Sequence, residues 1–286
     1  MEFHTPVLFP EVLKLLQPQS GQIFIDATLG HAGHALAILQ TGATVYGLEQ
    51  DPSNLAIAKE RIRQANLAQN FHPIHANFSQ LPPVKAQGIL FDLGLSKNQL
   101  KSQSRGFSFD DALSLDMRLD PESSDLTAEA IINTWSFDQL YQIFTKYGQE
   151  LYAKPIILRL IRCRQQQPIT TATRLSQIIN DYYAKNKIRT GINPATKIFL
   201  SLKIAVNNEL SNLQSALDLT LRILVPSGVC CLITFHSTED RLVKKFIQQK
   251  CLLGIIHKNP PIRPSLAEIK SNPLSRSATL RSFTIN

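Results

Sequence analysis

Short apolar runs alternate with amphipathic segments over the first hundred residues of the chain. Four of these runs are rich in β-branched or aromatic residues and predict strands, at residues 22–27, 44–48, 71–74 and 88–93. The intervening segments 34–40 and 53–65 have apolar residues at helical spacing and predict helices. Strands that alternate with helices are typical of a parallel sheet in an α/β fold.

The strand pattern stops near residue 101 and returns only after residue 205. Between these points four segments predict helices, at residues 126–133, 137–146, 155–165 and 173–184. A long helix at 206–224 and a strand at 228–235 then continue the α/β pattern. We therefore predict one discontinuous α/β domain made of residues 1–104 and 206–286, with an all-helical domain inserted at residues 105–205.

The chain has 286 residues and a formal net charge of +8, which is unevenly distributed. Residues 151–205 carry ten Lys or Arg against one acid, and residues 241–286, a predicted C-terminal tail, carry nine against one. Two basic segments on an otherwise acidic body indicate a polyanionic partner such as nucleic acid. Basic surface also serves solubility alone, so the charge leaves both interpretations open.

The four cysteines, Cys163, Cys230, Cys231 and Cys251, show no CxxC spacing and no histidine partner at the spacing of a zinc finger. Cys230 and Cys231 are adjacent and would face opposite sides of a strand. This pattern disfavours a zinc site and a disulfide framework. No apolar run approaches the length of a membrane span, and we expect no targeting peptide because patterned sequence begins within four residues of Met1.

The segment DATLGHAGH, residues 26–34, follows the first predicted strand and begins a helix. Its small residues allow a ligand close to the backbone, and the helix N-terminus offers N–H groups. Glu49 follows the second strand, where a carboxylate can accept both hydroxyls of a ribose. With only Gly30 and Gly33 the loop lacks the glycines that a dinucleotide needs, so S-adenosylmethionine, which has no phosphate, fits better. A plain tight turn with a surface Glu49 is the alternative.

Three further motifs carry candidate chemistry. Asp92 ends the fourth strand at the sheet edge where ligands bind in open α/β folds, unless it only caps the next turn. Arg105 and Phe107 belong to RGFSF, whose aromatic residues either clamp RNA bases or pack a loop. His236 follows the last predicted strand and either contacts substrate or has a structural role.

Nine motifs occur in one order and cover almost the whole chain. They are HTPVL (4–8), DATLGHAGH (26–34), GLEQDP (47–52), FDLGLSKNQL (91–100), RGFSF (105–109), LDMRLDP (115–121), NPATKIFLSLKIAVNNEL (193–210), FHSTEDRLVK (235–244) and NPLSRSATLR (272–281). This series resembles the bacterial-type small-subunit (16S) ribosomal RNA cytosine-N4 methyltransferase family, the methyltransferase H or MraW-like family.

The resemblance implies a class I, Rossmann-like S-adenosylmethionine-dependent methyltransferase sheet with an inserted helical substrate-recognition domain. It implies transfer of a methyl group from S-adenosyl-L-methionine to N4 of a cytidine in the decoding centre (P-site region) of 16S rRNA, with the small ribosomal subunit as partner. Neither a metal nor a membrane is expected. The family's cofactor-contact pattern falls here on Ala32, Gly33, His34, Glu49, Phe78, Asp92 and Gln99.

Asp92 is the candidate catalytic residue, either polarising the cytosine amine or orienting the cofactor. Candidate RNA contacts, some from the motifs and some from the resemblance, are Arg105, Phe107, Asn193, Lys197, His236, Arg276 and Arg281.

The chain also departs from the family pattern. Ala32 stands where the family usually has Gly, and Glu49 where it has Asp. Asn193 and Lys197 replace His and Arg, and a lysine loses the bidentate geometry of arginine. Leu274 replaces a further Arg. These changes keep a second hypothesis open, a catalytically weakened RNA-binding ribosome-assembly factor with the same fold.

A small-molecule methyltransferase is a third hypothesis, which the basic segments disfavour. We expect the protein in the cytoplasm, or in the plastid stroma if an organelle encodes it. The sequence leaves a homodimer open.

Overall fold

A computed structural model describes residues 5–96, 99 and 104–286 of the chain. The motifs at 4–8 and 91–100 therefore lie partly outside the described residues. The chain divides into two compact units, which we call the sheet unit (residues 1–94 and 210–286) and the helical unit (residues 95–209).

The sheet unit contains seven strands, β1 Ile23–Asp26, β2 Thr44–Glu49, β3 Phe71–His75, β4 Ala86–Asp92, β5 Leu224–Thr234, β6 Ile256–Lys258 and β7 Thr279–Ile285. Their order in the sheet is β3-β2-β1-β4-β5-β7-β6. Strands β1 to β5 are parallel, and β7 pairs antiparallel with both of its neighbours. The α/β sheet predicted from the apolar runs is confirmed, whereas β6 and β7 were not predicted.

The described α-helices are α1 Phe9–Leu16, α2 Gly33–Gln40, α3 Pro52–Gln64, α4 Ala128–Thr134, α5 Phe137–Lys146, α6 Ala153–Gln166, α7 Ala172–Lys185, α8 Thr196–Val206, α9 Glu209–Ile223, α10 Ser237–Leu252 and α11 Leu266–Ser271. Helices α1 to α3 bury their apolar residues on one face of the sheet. Helices α9 and α10 cover the other face. Both faces are therefore shielded, as a parallel sheet requires.

The sheet has a switch point between β1 and β4. The chain passes from β1 to β2 and β3 on one side, and from β4 to β5 on the other. The loops that follow β1 and β4 therefore diverge and leave a crevice at the carboxyl edge, where ligands of open α/β sheets bind. In the register of the sheet, Asp26 lies beside Gly47 of β2 and Leu90 of β4.

Helices α4 to α8 lie in the helical unit and bury one apolar core of their own. Side-chain caps begin several of them. Thr127 caps α4, Thr171 caps α7, and Ser136 forms a capping box with Gln139 at the start of α5. These caps explain why the helices predicted in this region lie within a few residues of those observed.

Along the chain, the boundaries between the units fall at residues 94/95 and 209/210, whereas we predicted boundaries at 104/105 and 205/206. Leu95 packs against the core of the helical unit, so this unit begins before the RGFSF motif. At the other boundary α8 continues to Val206, and Asn207 donates to the backbone oxygen of Met117. The helix predicted at 206–224 begins only at Glu209, after Asn208 adopts a left-handed φ of 50°.

The basic C-terminal segment is not an extended tail. It forms α10, α11 and the edge strands β6 and β7, and β7 pairs with β5 from Val229↔Thr284 to Thr234↔Thr279. No helix among the described residues is long and apolar enough to span a bilayer.

Candidate cofactor and active site

Three acidic residues follow one another along the carboxyl edge of the sheet. Asp26, Glu49 and Asp92 are the last residues of β1, β2 and β4, which are neighbours in the sheet. Burial raises the pKa of each carboxyl group to about 7, and the charges of Asp92 and Glu49 add to the shift of Asp26. The switch-point crevice is therefore lined with carboxyl groups that gain or lose a proton near neutral pH.

The Glu49 carboxylate connects the loops that follow β1 and β2. Its Oε2 accepts a hydrogen bond from the Gly30 backbone N–H at 2.9 Å, and its Oε1 accepts one from the Asp51 N–H at 2.8 Å. Each oxygen keeps a lone pair for a further donor, such as a ribose hydroxyl. Arg61 supports the same loop by donating to the His31 backbone oxygen at 2.8 Å.

The glycine-poor loop has a specific backbone conformation. Gly30 and Ala32 both adopt left-handed φ angles, 52° and 61°. A left-handed φ is the conformation that glycine adopts without strain, so the backbone at Ala32 is strained in a way that glycine would not be. At Gly33 an added Cβ would lie 2.4 Å from Cγ of Pro6, so a side chain there would displace the N-terminal segment or the start of α2.

His34 lies in the first turn of α2 and is buried. Burial lowers the pKa of its imidazole to about 4, so the ring is neutral near pH 7. Its ring lies 5.7 Å from that of Phe9, and its Nε2 has no hydrogen-bond partner in the described part of the chain. A buried nitrogen without a partner at a loop predicted to bind a ligand is available to that ligand.

Asp92 is held by groups from two loops. Its backbone N–H donates to Oγ1 of Thr28, and the Gly94 N–H bonds to its carboxylate. Besides burial, the negative charge of Glu239 raises the pKa of Asp92. Asp92 as a whole residue is partly buried, and burial of its carboxyl group is the largest cause of the raised pKa.

His236 acts as a helix cap. Its Nδ1 accepts the Glu239 backbone N–H at 3.3 Å at the start of α10, and its Nε2 lies 2.9 Å from Oε1 of Glu239. The other oxygen of this buried carboxylate accepts the Phe235 N–H at 3.2 Å. This arrangement supports the structural alternative for His236 over the predicted RNA contact.

Phe78 follows β3 at the same edge of the sheet. Its ring meets that of Phe91 edge to face, with centroids 6.1 Å apart. Asn77 fixes the turn by accepting the Ser79 N–H at 2.9 Å. A partly buried aromatic ring here can pack against an adenine, as the resemblance implies.

These residues fit S-adenosylmethionine. The cofactor carries a positive sulfonium and a positive ammonium group, which carboxylates complement. Glu49 offers acceptors for the ribose hydroxyls, Phe78 offers an apolar surface for the adenine, and the loop lacks the glycines that a pyrophosphate needs.

Gln99 belongs to the helical unit, where it is buried. Its Oε1 accepts the Ser96 N–H at 2.8 Å, and its own N–H donates to Oγ of Ser96 at 3.2 Å. Its cofactor role stays a prediction.

The RGFSF motif packs the helical unit. Nη2 of Arg105 donates to the backbone oxygens of Arg118 and Leu119 at 2.7 and 2.9 Å, and its guanidinium lies over the Phe107 ring. Phe107 is buried, and the Phe109 ring meets another core ring edge to face. Phe107 lies in the core of the helical unit and Phe109 packs partly buried against it, which favours the loop-packing alternative over the predicted clamp.

Asn193 and Lys197 lie together at one cleft of the helical unit. Oδ1 of Asn193 accepts the Ala195 N–H at 2.9 Å, and Nζ of Lys197 donates to the Gln149 backbone oxygen at 3.1 Å. Asn193 is exposed, so both residues remain candidates for RNA contact.

The two C-terminal arginines differ. Arg276 is exposed in the turn Pro273–Ser277. Arg281, on β7, forms a bidentate ion pair with Asp240 at 2.7 and 2.9 Å, which holds the pKa of Asp240 below its usual value. Arg281 is therefore committed to a structural contact, and of the two Arg276 stays a candidate for a phosphate contact.

Asp26 and Thr28 lie within the ligand loop predicted at residues 26–34, but neither they nor Glu239 were predicted individually as parts of this site. The signal for Asp26 was present, because an acid ends each of three predicted strands in this sheet. Glu239 gave no such signal, since its proximity to Asp92 depends on the packing of α10.

Comparison with known proteins agrees with this geometry. The model of the MraW methylase family matches residues 1–286. A protein of Thermomicrobium roseum called ribosomal RNA small subunit methyltransferase H is 40% identical over 97% of this chain and 92% of its own. A protein of the same name from Coxiella burnetii is 36% identical over 98% of both chains.

Two solved structures share the fold at low identity. A candidate rRNA methylase of Clostridium thermocellum superposes over 100% of both chains with a TM-score of 0.50 and 10% identity. A candidate methyltransferase of Streptococcus mutans, SMU.1697c, gives the same TM-score and coverage at 11% identity. The sheet is therefore the predicted class I methyltransferase sheet. With a family model that matches its full length, the chain belongs to the MraW methylase family, and its methyl donor is S-adenosylmethionine.

Proposed function

We propose that this protein methylates the exocyclic N4 of a cytidine in the decoding centre of small-subunit 16S rRNA. The observation that carries the proposal is the position of Asp92, a desolvated carboxyl group at the switch point of a class I methyltransferase sheet. Relatives that align over nearly the full chain are named ribosomal RNA small subunit methyltransferase H, which supports rRNA as the substrate.

S-adenosylmethionine supplies an electrophilic methyl group when it is bound. Glu49 would hold the ribose hydroxyls, and Phe78 would pack against the adenine. Ala32, Gly33 and His34 would lie along the cofactor at the start of α2. Together these residues would fix the donor in one orientation, which lowers the entropic part of the barrier to transfer.

Asp92 would act on the cytosine amine. The lone pair of this amine is delocalised into the ring, so the amine is a weak nucleophile. A carboxylate that accepts a hydrogen bond from the NH2 group localises electron density on the nitrogen and stabilises the positive charge that develops there. With a pKa raised to about 7, Asp92 can also take the proton that the methylated nitrogen releases.

The basic composition supports an RNA partner. Residues 151–205 and 241–286 carry 19 of the 30 Lys and Arg residues and only two of the 22 acids. Lysine and arginine contacts to phosphates make RNA affinity strongly salt-dependent. We place the reaction in the cytoplasm, with the plastid stroma as the alternative for an organelle-encoded copy.

A single substitution tests the role of Asp92. Asp92→Asn keeps the size of the side chain but cannot accept a proton, so we expect kcat on unmodified small subunits to fall by about 100-fold or more, while calorimetry shows S-adenosylmethionine still bound. The matched control, Asp110→Asn, alters an exposed acid of the helical unit and should leave kcat unchanged.

The second hypothesis, an RNA-binding assembly factor without activity, predicts a different outcome. In that case the wild-type protein binds small subunits and transfers no methyl group. Its sequence support is the set of departures at Ala32, Asn193 and Lys197, and of these the loop accommodates Ala32 at a left-handed φ.

A further inference from the structure

The helical unit contains an open cleft of about 200 Å³ that the cofactor site does not use. Its polar and aromatic lining includes Glu150, Tyr152, Arg189, Asn193 and Lys197. We propose that this cleft binds one nucleotide of the RNA substrate, and that it selects a base with an exocyclic amine. The inference rests on the proposed function only in taking RNA as the partner.

An aromatic residue at the cleft provides the stacking surface. Tyr152 exposes 36% of its surface and packs edge to face on the buried Tyr183, with ring centroids 5.6 Å apart. A second ring, that of Tyr182, lies tilted to it at 6.4 Å, so two neighbouring rings hold Tyr152 in place while part of its surface stays exposed at the cleft. A fixed, exposed aromatic ring is the element on which proteins stack unpaired RNA bases.

Glu150 supplies the selectivity. Its carboxylate is buried, and its Oε1 accepts both the Tyr152 N–H and the Tyr183 O–H at 2.8 Å. Burial, together with this carboxylate, raises the pKa of Tyr183 well above its usual value, so the phenol remains a donor. The second oxygen, Oε2, has no hydrogen-bond partner in the described part of the chain.

A buried carboxylate oxygen without a donor is unfavourable, and an amine N–H from a ligand would satisfy it. Cytosine and adenine present such an amine on their pairing edge. Uracil presents a carbonyl oxygen at the same position, which the carboxylate would repel. Glu150 therefore distinguishes cytosine from uracil, two bases of equal size.

Two cations lie at the same cleft. Arg189 is exposed, and no ion pair involves it among the described residues. Lys197 donates from Nζ to the Gln149 backbone oxygen at 3.1 Å and lines the same cleft. These groups can bind the phosphate of a nucleotide whose base contacts Tyr152 and Glu150.

The backbone next to the cleft is strained on two segments. Gln149, just before Glu150, has φ 52°, and Lys187, just before Ile188 and Arg189, has φ 54°. Left-handed residues other than glycine cost free energy and occur preferentially at functional sites. This observation is independent of the side-chain chemistry and points to the same cleft.

The test uses the full-length protein and two fluorescein-labelled RNA decamers, C10 and U10, with binding followed by anisotropy at pH 7.5. We expect C10 to bind about fivefold or more tightly than U10. Tyr152→Ala and Arg189→Ala should each weaken C10 binding by about tenfold, since stacking on one ring has that magnitude. The matched controls are Tyr141→Ala on α5 and Arg174→Ala on α7, both exposed, which should stay within about twofold of wild type.

Glu150→Gln tests the selectivity without emptying the site. The amide oxygen can keep both bonds of Oε1, which places a donor NH2 where the unpartnered oxygen was. The preference should then shift toward U10, so that the C10 to U10 affinity ratio falls to one or below. Calorimetry with S-adenosylmethionine, expected to be unchanged, shows that the variant is folded.

Two results overturn the inference: equal affinity of the wild type for C10 and U10, or loss of C10 binding in the controls equal to that in the cleft variants. The proposed function fails separately. If small subunits are not methylated while the cleft variants lose C10 binding, nucleotide binding at the cleft is supported and the methylation assignment is wrong. If Tyr152→Ala methylates and binds C10 as wild type does, the cleft is wrong and the assignment stands.

Discussion

Replacement of Glu49 by glutamine tests the geometry of the cofactor site most sharply. The two carboxylate oxygens accept separate backbone N–H groups, from Gly30 and Asp51. Glutamine has only one acceptor oxygen, so its NH2 group faces one of these donors and leaves it unsatisfied. Protonated Glu49, the form that its raised pKa favours at pH 5.5, still accepts through its carbonyl and hydroxyl oxygens, whereas the NH2 group of glutamine accepts no hydrogen bond. A buried unsatisfied donor costs about 1–3 kcal/mol, and we expect Glu49→Gln to lower the free energy of unfolding by that amount at pH 5.5.

The size of the deficit depends on pH. Burial raises the pKa of Glu49 from 4.5 to about 7, so the folded protein holds a proton that the unfolded chain has released. The proton bound by folded Glu49 stabilises the protein fully below pH 4.5, and this stabilisation is lost as the pH rises through 7. The loss between pH 5.5 and 7 is about 2 kcal/mol. Glutamine has no such proton, so the deficit should shrink by about 2 kcal/mol between pH 5.5 and pH 8.

Urea denaturation followed by circular dichroism at the two pH values measures the deficit. Glu122→Gln, which changes an exposed acid, should stay within about 0.5 kcal/mol of wild type. A deficit that is the same at both pH values would refute the raised pKa, and no deficit at pH 5.5 would refute the two hydrogen bonds. At pH 8 calorimetry should show S-adenosylmethionine affinity about tenfold weaker, because an ionised acceptor for the ribose is lost.

Three further substitutions test other contacts. Ala32→Gly should raise the free energy of unfolding by up to about 1 kcal/mol in urea, because it relieves a left-handed alanine. Gly148→Ala should lower the free energy of unfolding by about 1–3 kcal/mol, because the new methyl group would lie 2.4 Å from the Lys197 backbone oxygen. Arg281→Lys should lower the thermal midpoint by about 2–4 °C, since it removes a bidentate pair with Asp240, and should leave RNA affinity unchanged at matched salt.

Each of these outcomes can fail. Lower stability of Ala32→Gly would show that the buried methyl group contributes more than its backbone conformation costs. Gly191→Ala is the control for Gly148, because its added methyl group meets nothing within 4 Å, and an equal loss in both variants would contradict the steric argument. If Arg281→Lys lowers RNA affinity, Arg281 returns to the set of RNA contacts.

The local pattern predicted the sheet because parallel strands are buried on both faces and read as continuous apolar runs. The same reasoning located Glu49 and Asp92, since a residue that ends such a strand lies at the carboxyl edge whatever the rest of the fold. Edge strands gave a weaker signal. β6 has three residues, and β7 alternates with polar positions, so the basic composition of 241–286 was interpreted as a tail.

The candidate RNA residues were less predictable, because their roles depend on partners distant in sequence. Arg105 bonds to residues 118 and 119, and Arg281 pairs with Asp240, 41 positions away. A motif shows that an arginine or lysine is present, but it does not show whether that side chain is already paired with another group of the same protein. The cleft at Glu150 and Tyr152 was missed for the same reason, since its lining comes from 150–152 and 183–197.

One measurement tests the central claim most directly. Unmodified small subunits are incubated with the protein and isotope-labelled S-adenosylmethionine, the rRNA is digested to nucleosides, and the labelled product is identified by mass spectrometry and mapped to its position. We predict labelled N4-methylcytidine at one decoding-centre position, and its loss with Asp92→Asn. Label in another nucleoside, or none at all, would contradict the account.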